Sequence, residues 1–210
     1  MGRGEGTRHA ILERAAAIAS RVGLDGLSIG QLAHELALSK SGLFAHFQSK
    51  EALQTETVRF AAQVFVESVV RPTLKTARGE PRVRALFERW ITWAKKSPAK
   101  GGCFFVSAAT ELDDREGPAR DELLRQQLDW LEMLANVART GVGEGHFRQD
   151  LDAEQFAHDL NGIMLAYHHA ARLLRDPRAE ERSERAFEAL LDRARVFTPP
   201  RAANSRPSRT

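Results

Sequence analysis

Apolar residues recur three and four positions apart along almost the whole chain, as in Ile11, Leu12, Ala15, Ile18 and Ala19. This spacing places them on one face of an α-helix, which turns once every ~3.6 residues. Ala, Leu, Glu and Arg, which favour helices, dominate the sequence, and the β-branched residues that favour strands are sparse. The pattern therefore predicts an all-α protein.

Serine and glycine residues mark the helix ends in the first third of the chain. Gly23 follows the first apolar pattern and suits the left-handed conformation that ends many helices. Ser28 precedes the next pattern, and Gln31 three residues later completes a capping-box arrangement. Ser39 and Ser49 can cap two further helices in the same way. We therefore expect four helices in this part of the chain, the last of them long.

Breaks in the apolar pattern divide the rest of the chain. Residues 77–81 contain a glycine and a proline, which end the long helix that starts near Lys50. Further helices are predicted over about 83–96, 118–140, 152–174 and 178–196, with a short apolar segment at 103–112. The inward face of the 118–140 helix is predicted to consist of Leu124, Leu128, Leu131, Ala135 and Ala138.

Composition places the chain among ordinary globular proteins. Hydrophobic residues make up 42% of it and charged residues 28%, and no apolar run approaches the ~18 residues of a membrane-spanning helix. The first ten residues lack the apolar segment of a secretion signal, and the one cysteine, Cys103, cannot form an internal disulfide. We therefore expect a cytoplasmic location. The formal charge of +3 is compatible with a nucleic-acid partner but too small to indicate one.

The stretch LSKSGLFAHFQSKEAL, residues 38–53, contains a short helix with a polar outer face. Two short helices joined by a tight turn form a helix-turn-helix, whose second helix enters the major groove of DNA. Small residues such as Gly42 and Ala45 would let that helix approach the bases, while Leu43 and Phe47, four apart, would hold it on its neighbours. The segment is compatible with DNA binding, but capped helix pairs are common in any α-protein, so the spacing alone does not indicate that function.

The longer stretch LSIGQLAHELALSKSGLFAHFQSKEAL resembles the DNA-binding region of TetR-type transcriptional regulators. Their pattern ends in leucine-aromatic-x-His-Phe-x-x-Lys-x-x-Leu, which runs here from Leu43 to Leu53. The resemblance covers about residues 7–55 and implies an all-helical homodimer that binds a small-molecule effector and acts on a palindromic double-stranded DNA operator, most commonly as a repressor. The family usually has tyrosine where this chain has Phe44, so a phosphate contact through that hydroxyl cannot be carried over.

These observations predict two structural units and a tail. We expect a three-helix helix-turn-helix unit with an N-terminal arm over residues 1–55. A long helix would join it to a helical unit for ligand binding and dimerisation over residues 56–197. Residues 198–210 have the Pro, Ser and Arg content of a disordered basic tail.

Ten residues of the first unit are predicted to contact DNA. Lys40 can reach a guanine edge or a phosphate, and His46 and Lys50 can reach phosphates. A solvated lysine and a packing histidine are the alternatives for Lys40 and His46. Arg3 and Arg8 would enter the minor groove if the N-terminus forms an arm, or belong to a frayed end. The predicted set is Ser28, Gln31, Ser39, Lys40, Ser41, Gly42, Phe44, Ala45, His46 and Lys50.

Large apolar and aromatic side chains in the second unit could line a cavity for an apolar or aromatic small molecule. The predicted ligand-binding residues are Trp90, Phe104, Phe105, Trp130, Met164, Tyr167 and His168. Helical spacing predicts burial without distinguishing a cavity wall from ordinary core, so core packing is the alternative for each of them. Glu111, Asn161 or His168 could orient a bound molecule.

The last two predicted helices resemble the pair through which TetR-type proteins form a four-helix dimer interface. The candidate interface residues are Leu160, Met164, Phe187, Leu190 and Leu191. The same spacing would also suit burial within one subunit. A two-fold dimer would place two recognition helices about one DNA turn apart.

Redox and metal chemistry find weaker support. An accessible Cys103 thiolate could sense oxidation, whereas a buried thiol would be inert. Glu154 and His158 are four residues apart on one predicted helix, which is a spacing that metal sites use. His168 and His169 are adjacent, and side chains of adjacent helical residues point about 100° apart, which makes them poor joint ligands. We therefore expect no metal or cofactor.

Two alternatives to a ligand-responsive regulator are open from the sequence alone. A helical enzyme could use His168 or Glu111 as acid or base, but the chain has no phosphate loop, nucleophile elbow or metal motif. A member of the same fold that has lost DNA binding would hold only a ligand or a partner protein, and the departure at Phe44 is compatible with that. The enzyme hypothesis gives residues 28–53 no role, so we expect no catalytic activity.

Overall fold

The computed structural model describes residues 3–96 and 102–196, which are almost entirely helical. The helices are α1 (Arg3–Val22), α2 (Ile29–Glu35), α3 (Lys40–Phe47), α4 (Lys50–Phe65), α5 (Arg71–Leu74), α6 (Glu80–Lys96), α7 (Phe104–Leu112), α8 (Pro118–Gly143), α9 (Ala153–Arg172) and α10 (Ala179–Ala194). This confirms the all-α prediction. Within the described ranges, no helix combines the length and apolarity that crossing a membrane requires. The predicted tail, 198–210, lies outside the described residues.

Serine side chains cap the helices of the first third as the sequence predicts. The hydroxyl oxygen of Ser28 accepts the backbone N–H of Gln31 at 3.4 Å, and Ser39 and Ser49 cap α3 and α4 through equivalent bonds of 3.0 Å. The capping box is only half formed, because the Gln31 side chain donates to Glu35 instead of accepting from the Ser28 N–H. These local bonds set where each short helix begins.

Helix α4 continues through a π-helical turn, Val66–Val70, into α5. Just after this turn, the hydroxyl of Thr73 donates to the carbonyl of Val69 at 2.7 Å. Single π-turns inside α-helices are frequently found at functional sites. The long helix predicted from Lys50 is therefore present, but the π turn interrupts its regular α-helical hydrogen bonding.

The apolar core consists of two clusters that share helix α4. The first cluster unites α1, α2, α3 and the N-terminal half of α4 with residues of α7 and the start of α8, among them Phe104, Leu112 and Leu123. The second cluster unites the end of α4 and the π turn with α6, α8, α9 and α10. Helix α7 thus completes the core of the N-terminal helices, although it follows them at a distance in the chain.

The predicted inward face of α8 is partly wrong. Leu124 and Leu128 are 46% and 56% exposed, whereas Leu123 and Leu134 are buried. Side chains of successive residues on a helix point about 100° apart, so a shift by one position exchanges an inner face for an outer one. The apolar spacing alone fits both faces here, and the contacts of α8 with α4 and α9 select one of them. Ala135 is buried as predicted.

An ion-pair cluster joins the start of α6 to the end of α10. Glu80 accepts hydrogen bonds from Arg195 Nε at 2.9 Å and from Arg84 Nε at 2.8 Å. Arg84 in turn pairs with Glu188 on α10. The hydrogen bonds from Arg195 and Arg84 outweigh the effect of burial and lower the pKa of Glu80 from 4.5 to about 2. The carboxylate therefore stays charged over the physiological range.

Replacing Glu80 with Gln is expected to lower the free energy of unfolding by about 1 to 2 kcal/mol at neutral pH, because two arginines lose their shared charge. Since the folded-state pKa of about 2 lies below the ordinary 4.5, this stabilisation is full above about pH 4.5 and disappears as the pH falls toward 2. Denaturant unfolding at neutral pH and at about pH 3 measures the difference. The exposed Glu88→Gln is the control, and an equal loss in both variants would contradict the assignment.

Candidate nucleic-acid interface and internal cavity

Helix α3 is held on the first apolar cluster by its inner side. Leu43 is fully buried and Phe47 is 3% exposed, as their four-residue spacing predicts. In the turn between α2 and α3, the N–H of Leu38 donates to the carbonyl of Ala33 at 2.8 Å. Ala37 adopts a left-handed φ of 54° there, which turns the chain sharply between the two helices. The contacts give α3 one fixed outer face.

The outer face of α3 consists of short or flexible side chains with one aromatic ring among them. Ser39, Lys40, Ser41 and Ala45 are exposed, and Phe44 is 44% exposed. The hydroxyls of Ser39 and Ser41 lie 3.1 Å apart. A helix whose outer side chains are short allows its backbone to come close to another surface, such as the floor of a DNA groove.

An open concave surface lies between the start of α2 and α3. It brings together Ser28, Gly30, Lys40, Phe44 and Lys50 from three helices and their caps. A Cβ added at Gly30 would come within 3.1 Å of Lys40 Cε, so the glycine leaves room for the lysine stem to cross α2. Two ammonium groups therefore face the same surface, which suits a partner with negative charge.

The long side chains of Lys50 and Gln31, both predicted to contact DNA, also have partners within the chain. Lys50 Nζ donates to the backbone carbonyl of Asp25 at 2.7 Å, and Gln31 Nε2 donates to Glu35 at 3.1 Å. His46 is half-buried, and its carbonyl accepts a hydrogen bond from Arg8 of α1. An ammonium group carries three donors, so Lys50 keeps donors for a phosphate while it holds the turn. The contacts of these residues with DNA stay predictions.

Arg8 does not form the groove-reaching arm that the sequence suggested. Its Nη1 donates to the carbonyl of His46 at 2.7 Å, and its Nη2 pairs with Glu56 at 3.3 Å. The guanidinium carbon lies 4.6 Å above the ring of Phe47. The minor-groove prediction for Arg8 is therefore wrong, because the side chain holds the end of α3. The side chain of Arg3 lies outside the described part of the structure.

The turn between α1 and α2 is held in place by α7, which lies far from it in the sequence but packs against α1. The two carboxylate oxygens of Glu111 accept the backbone N–H groups of Leu24 at 2.7 Å and Asp25 at 2.6 Å. Arg115 pairs with the Asp25 side chain, and Gln54 donates to the Leu24 carbonyl at 3.0 Å. Both carboxylate oxygens of Glu111 bind this turn, and Glu111 does not line the internal cavity. Its predicted role as a ligand-orienting group is therefore wrong.

A partly open cavity of about 160 Å³ lies between α4, the π turn, α6, α7, α8 and α9. The ring of Phe65 meets Trp130 and Phe105 edge to face, with ring centroids 5.1 and 5.7 Å apart. Trp130 Nε1 donates to Asn161 Oδ1 at 3.2 Å, which fixes the indole. The described lining residues are Ala62, Phe65, Val66, Val70, Trp90, Cys103, Phe105, Val106, Gln126, Gln127, Asp129, Trp130, Met133, Asn161 and Leu165.

The seven residues predicted to bind a ligand separate into two groups. Those in the cavity wall are Trp90, Phe105 and Trp130. Those outside it are Phe104, Met164, Tyr167 and His168. Phe104 packs in the first apolar cluster, whereas Met164 and Tyr167 are buried in the second. Core packing, the alternative stated above, describes these three.

His168 and Cys103 contact each other at the start of α7. His168 Nε2 accepts the backbone N–H of Cys103 at 3.3 Å, and burial, with Arg172 nearby, lowers the pKa of the imidazole. Burial also raises the pKa of the Cys103 thiol, which keeps it protonated. Thiols that sense oxidation are exposed and have a low pKa, so the redox hypothesis for Cys103 finds no support.

The polar side of the cavity and its π turn were not predicted from the sequence. Gln126, Gln127 and Asp129 of α8 form the polar side of the lining, and Val66 and Val70 belong to the π turn. The polar run RQQLDW in the middle of an apolar helix was the available signal. Because Leu124 and Leu128 were predicted to face inward, these polar residues were assigned to the solvent side of the helix.

The five residues predicted for a dimer interface are buried within the chain itself. Leu160, Met164, Phe187, Leu190 and Leu191 are each at most 3% exposed. They face the second apolar cluster, where Phe187 stacks on Phe87 with ring centroids 4.2 Å apart. The interface prediction for these side chains is therefore wrong, and burial within one subunit is the correct alternative. The outer faces of α9 and α10 are the parts of this helix pair that a partner can reach.

The candidate metal-binding pair on α9 is not assembled. Glu154 pairs with Arg139 of α8, and that hydrogen bond lowers the pKa of Glu154. His158 lies in an open groove between α9 and α10. Across residues 3–96 and 102–196, no three His, Cys, Asp or Glu side chains lie close enough together to hold a metal ion.

Two family models match along the chain. Residues 11–57 match a model described as bacterial regulatory proteins, tetR family. Residues 79–187, just over half of the chain, match one described as a tetracyclin repressor-like C-terminal domain. A comparison with curated proteins finds no match.

Solved structures of transcriptional regulators have the same fold. A TetR transcriptional regulator from Chloroflexus aurantiacus is 25% identical, covers 94% of this chain and 100% of its own, and has a TM-score of 0.83. A TetR-family regulator from Agrobacterium tumefaciens is 16% identical, with coverages of 92% and 100% and a TM-score of 0.79. AibR, in complex with isovaleryl coenzyme A and operator DNA, is 21% identical, with coverages of 88% and 96% and a TM-score of 0.68.

Replacing Glu111 with Ala is expected to lower the free energy of unfolding by about 1 to 3 kcal/mol, because two backbone N–H groups lose their acceptor. Amide hydrogen exchange of Leu24 and Asp25 should accelerate more than that of α9. The exposed Glu116→Ala, which removes a carboxylate close by in the sequence, is the control. Unchanged exchange at Leu24 and Asp25 in the Glu111 variant would show that the clamp does not hold this turn.

Proposed function

Since the chain belongs to the tetR family of bacterial regulatory proteins, we propose that it is a homodimeric repressor that a small apolar or aromatic effector releases from a palindromic operator. Family membership makes it a DNA-binding transcriptional regulator that responds to a ligand. The exposed face of α3, seated on the buried Leu43 and Phe47, is the observation that carries the proposal. The protein would act in the cytoplasm, where operator DNA lies.

Direct contacts with DNA are assigned to the outer face of α3 and the helix starts beside it. Lys40 would read a guanine edge, and Lys50 and the capping serines would contact phosphates. Phe44 offers a thymine methyl group an apolar contact but has no hydroxyl for a phosphate. The proposed set is unchanged from the sequence: Ser28, Gln31, Ser39, Lys40, Ser41, Gly42, Phe44, Ala45, His46 and Lys50.

The two apolar clusters are proposed to correspond to two functional units, one for DNA binding and one for effector binding and dimerisation. Residues 1–55 would bind DNA, and residues 56–197 would bind the effector and form the dimer. Effector binding can release DNA only if the effector prefers the conformation that fits DNA poorly, and a coupling of about 1 to 3 kcal/mol changes operator affinity several-fold to a hundredfold. The cavity lies against the C-terminal half of α4, whose N-terminal half packs under α3.

The dimer interface is assigned to the outer faces of α9 and α10. An open groove runs between them, and its small residues would let helices of a second copy approach closely. These residues are Gly162, Ala166, Ala170, Ala186 and Ala189. A two-fold dimer through this face would present two copies of α3 to half-sites about one DNA turn apart.

A catalytic role is not part of the proposal. Glu111 and His168, the candidate acid and base, do not share a site, because each accepts backbone N–H groups from a different segment. Neither side chain lines the cavity. An acid–base catalyst has to reach the reacting atoms of a bound substrate, which these positions do not allow.

Replacing Lys40 with Glu is expected to weaken operator binding at least about tenfold, because one major-groove contact is lost and a like charge meets the DNA. Fluorescence anisotropy of the full-length protein with the promoter DNA that flanks its own coding region measures the affinity. Unrelated DNA gives the non-specific level, and two salt concentrations give the electrostatic contribution. The same loss with the two DNAs would contradict a base-reading role.

Lys75→Glu is the matched control, since Lys75 is exposed at the end of α5 and carries the same charge change. It should change the affinity by no more than about twofold. In the same titration Phe44→Tyr should tighten binding, because it supplies the hydroxyl that the family usually has at this position. Equal effects of the two lysine variants would leave only a general charge effect and overturn the assignment of α3.

A further inference from the structure

The walls of the cavity are aromatic on several sides. Phe65, Trp90, Phe105 and Trp130 come from four different helices and surround one space. The hydrogen bond to Asn161 holds the Trp130 indole in place. The volume of about 160 Å³ is close to the ~150 Å³ of cavities that take a single benzene ring. One ring therefore fits the space, and a compact substituent on it would extend through the open side of the cavity.

The charge of the cavity has one sign. Asp129 is the only charged side chain among the described lining residues; it is exposed to solvent at the opening, and within the described ranges it has no ion-pair partner. No Lys, Arg or His belongs to that described lining. Gln126, Gln127 and Asn161 supply neutral polar groups. An anionic ligand bound in this cavity would lose its hydration without gaining a positively charged partner.

Given the proposed function, we infer that the effector is an organic cation with an aromatic or apolar body, such as a quaternary or protonated amine. Aromatic faces attract cations through their quadrupoles, and they do so more strongly where water is displaced. Asp129 at the rim would neutralise the positive charge of the effector. A quaternary ammonium group has no N–H donor, so it would not need hydrogen bonds from the amide groups of Gln126 and Asn161. The cavity thus selects by charge as well as by shape.

Titration of the full-length protein with three small probes tests the inference. The probes are the cation phenyltrimethylammonium, its uncharged isostere tert-butylbenzene and the anion tert-butylbenzoate. Quenching of tryptophan fluorescence reports binding, because Trp90 and Trp130 lie in the wall. The cation should bind about tenfold more tightly than the isostere, and the anion more weakly than both.

Asp129→Asn should weaken binding of the cation about threefold to tenfold and leave the isostere unchanged. Asp121→Asn, an exposed carboxylate on the same helix outside the cavity, is the control. A preference for the isostere or the anion, or equal effects of the two variants, would overturn the inference. Operator binding is measured separately, so a regulator with a neutral effector and a cation-binding protein without DNA affinity would be told apart.

A different set of contacts connects the same cavity with α3. Gln126, in the cavity wall, donates to Glu122 at 2.9 Å. The Glu122 side chain is 1% exposed and also accepts from Arg59 Nε on α4 at 2.8 Å. Burial alone would raise the pKa of Glu122, but hydrogen bonds from Gln126, Arg59 and Arg125 lower it overall, so the carboxylate stays charged. A buried charge of this kind binds its partners strongly.

The contacts continue from α4 to the recognition helix. Arg59 Nη1 donates to Glu56 at 2.9 Å, and Glu56 pairs with Arg8 at 3.3 Å. Arg8 donates to the carbonyl of His46 in the last turn of α3 at 2.7 Å. An unbroken series of polar contacts therefore runs from the cavity wall to the end of α3.

We propose that this series, Gln126–Glu122–Arg59–Glu56–Arg8–His46, transmits the state of the cavity to α3. A molecule that turns the Gln126 amide toward itself takes one hydrogen bond from Glu122. The freed carboxylate oxygen then redistributes its bonds between Arg59 and Arg125, which changes how firmly Arg59 is shared with Glu56. The end of α3 is held by Arg8 and follows that change.

Amide hydrogen exchange of α3 in full-length variants tests this proposal without DNA or effector. Gln126→Met, which removes the amide but keeps the length of the side chain, should accelerate exchange in the last turn of α3 about threefold to tenfold. Arg59→Met should do the same, and the double variant should show no further acceleration, because both changes break one series.

Gln127→Met is the matched control. Gln127 also lines the cavity, but its amide donates to the backbone carbonyl of Phe105 at 3.5 Å instead of to Glu122. Exchange in α3 should therefore be unchanged in this variant. Acceleration equal to that of Gln126→Met, or additive effects of the Gln126 and Arg59 variants, would overturn the series as a connection between the two sites.

Discussion

Helix α4 belongs to both apolar clusters, and the other features depend on this constraint. Its first turns contribute Leu53 and Val58 to the cluster beneath α3, and its last turn contributes Phe65 to the cluster around the cavity. Protein interiors are close-packed, so a helix that fills two cores cannot shift in one of them without disturbing the other. The cavity and the DNA-facing helix are thus connected by packing as well as by polar contacts.

Local features of the fold could be predicted from the sequence, because they depend on neighbours in the chain. Serine caps, the left-handed glycine after α1 and the four-residue spacing of Leu43 and Phe47 each involve residues a turn apart. The helix-turn-helix and its exposed face follow from these alone. The motif that carries the family resemblance lies in the same stretch, within about residues 7–55.

Features that depend on distant partners could not be predicted in the same way. Apolar spacing shows that α8, α9 and α10 each have a buried face, but it does not show which helices cover that face. Leu124 was therefore assigned to the wrong side, and Leu160 and Leu191 were assigned to a partner subunit although their own chain buries them. The cavity wall was found only where a large aromatic ring happened to face it. Arg8 and Glu111 were misassigned because their partners include backbone groups distant in the sequence, which side-chain spacing does not reveal.

The dependence of the first cluster on α7 and the start of α8 also orders events during synthesis. Residues 11–61 leave the ribosome well before Phe104, Leu112 and Leu123, which complete their core. Domains form cooperatively only when the segments that fill their interior are present. About half of the chain must therefore be synthesised before the core beneath α3 is complete. A product truncated before α7 would lack the side chains that complete this core, and it would not compete with the full-length protein for the operator.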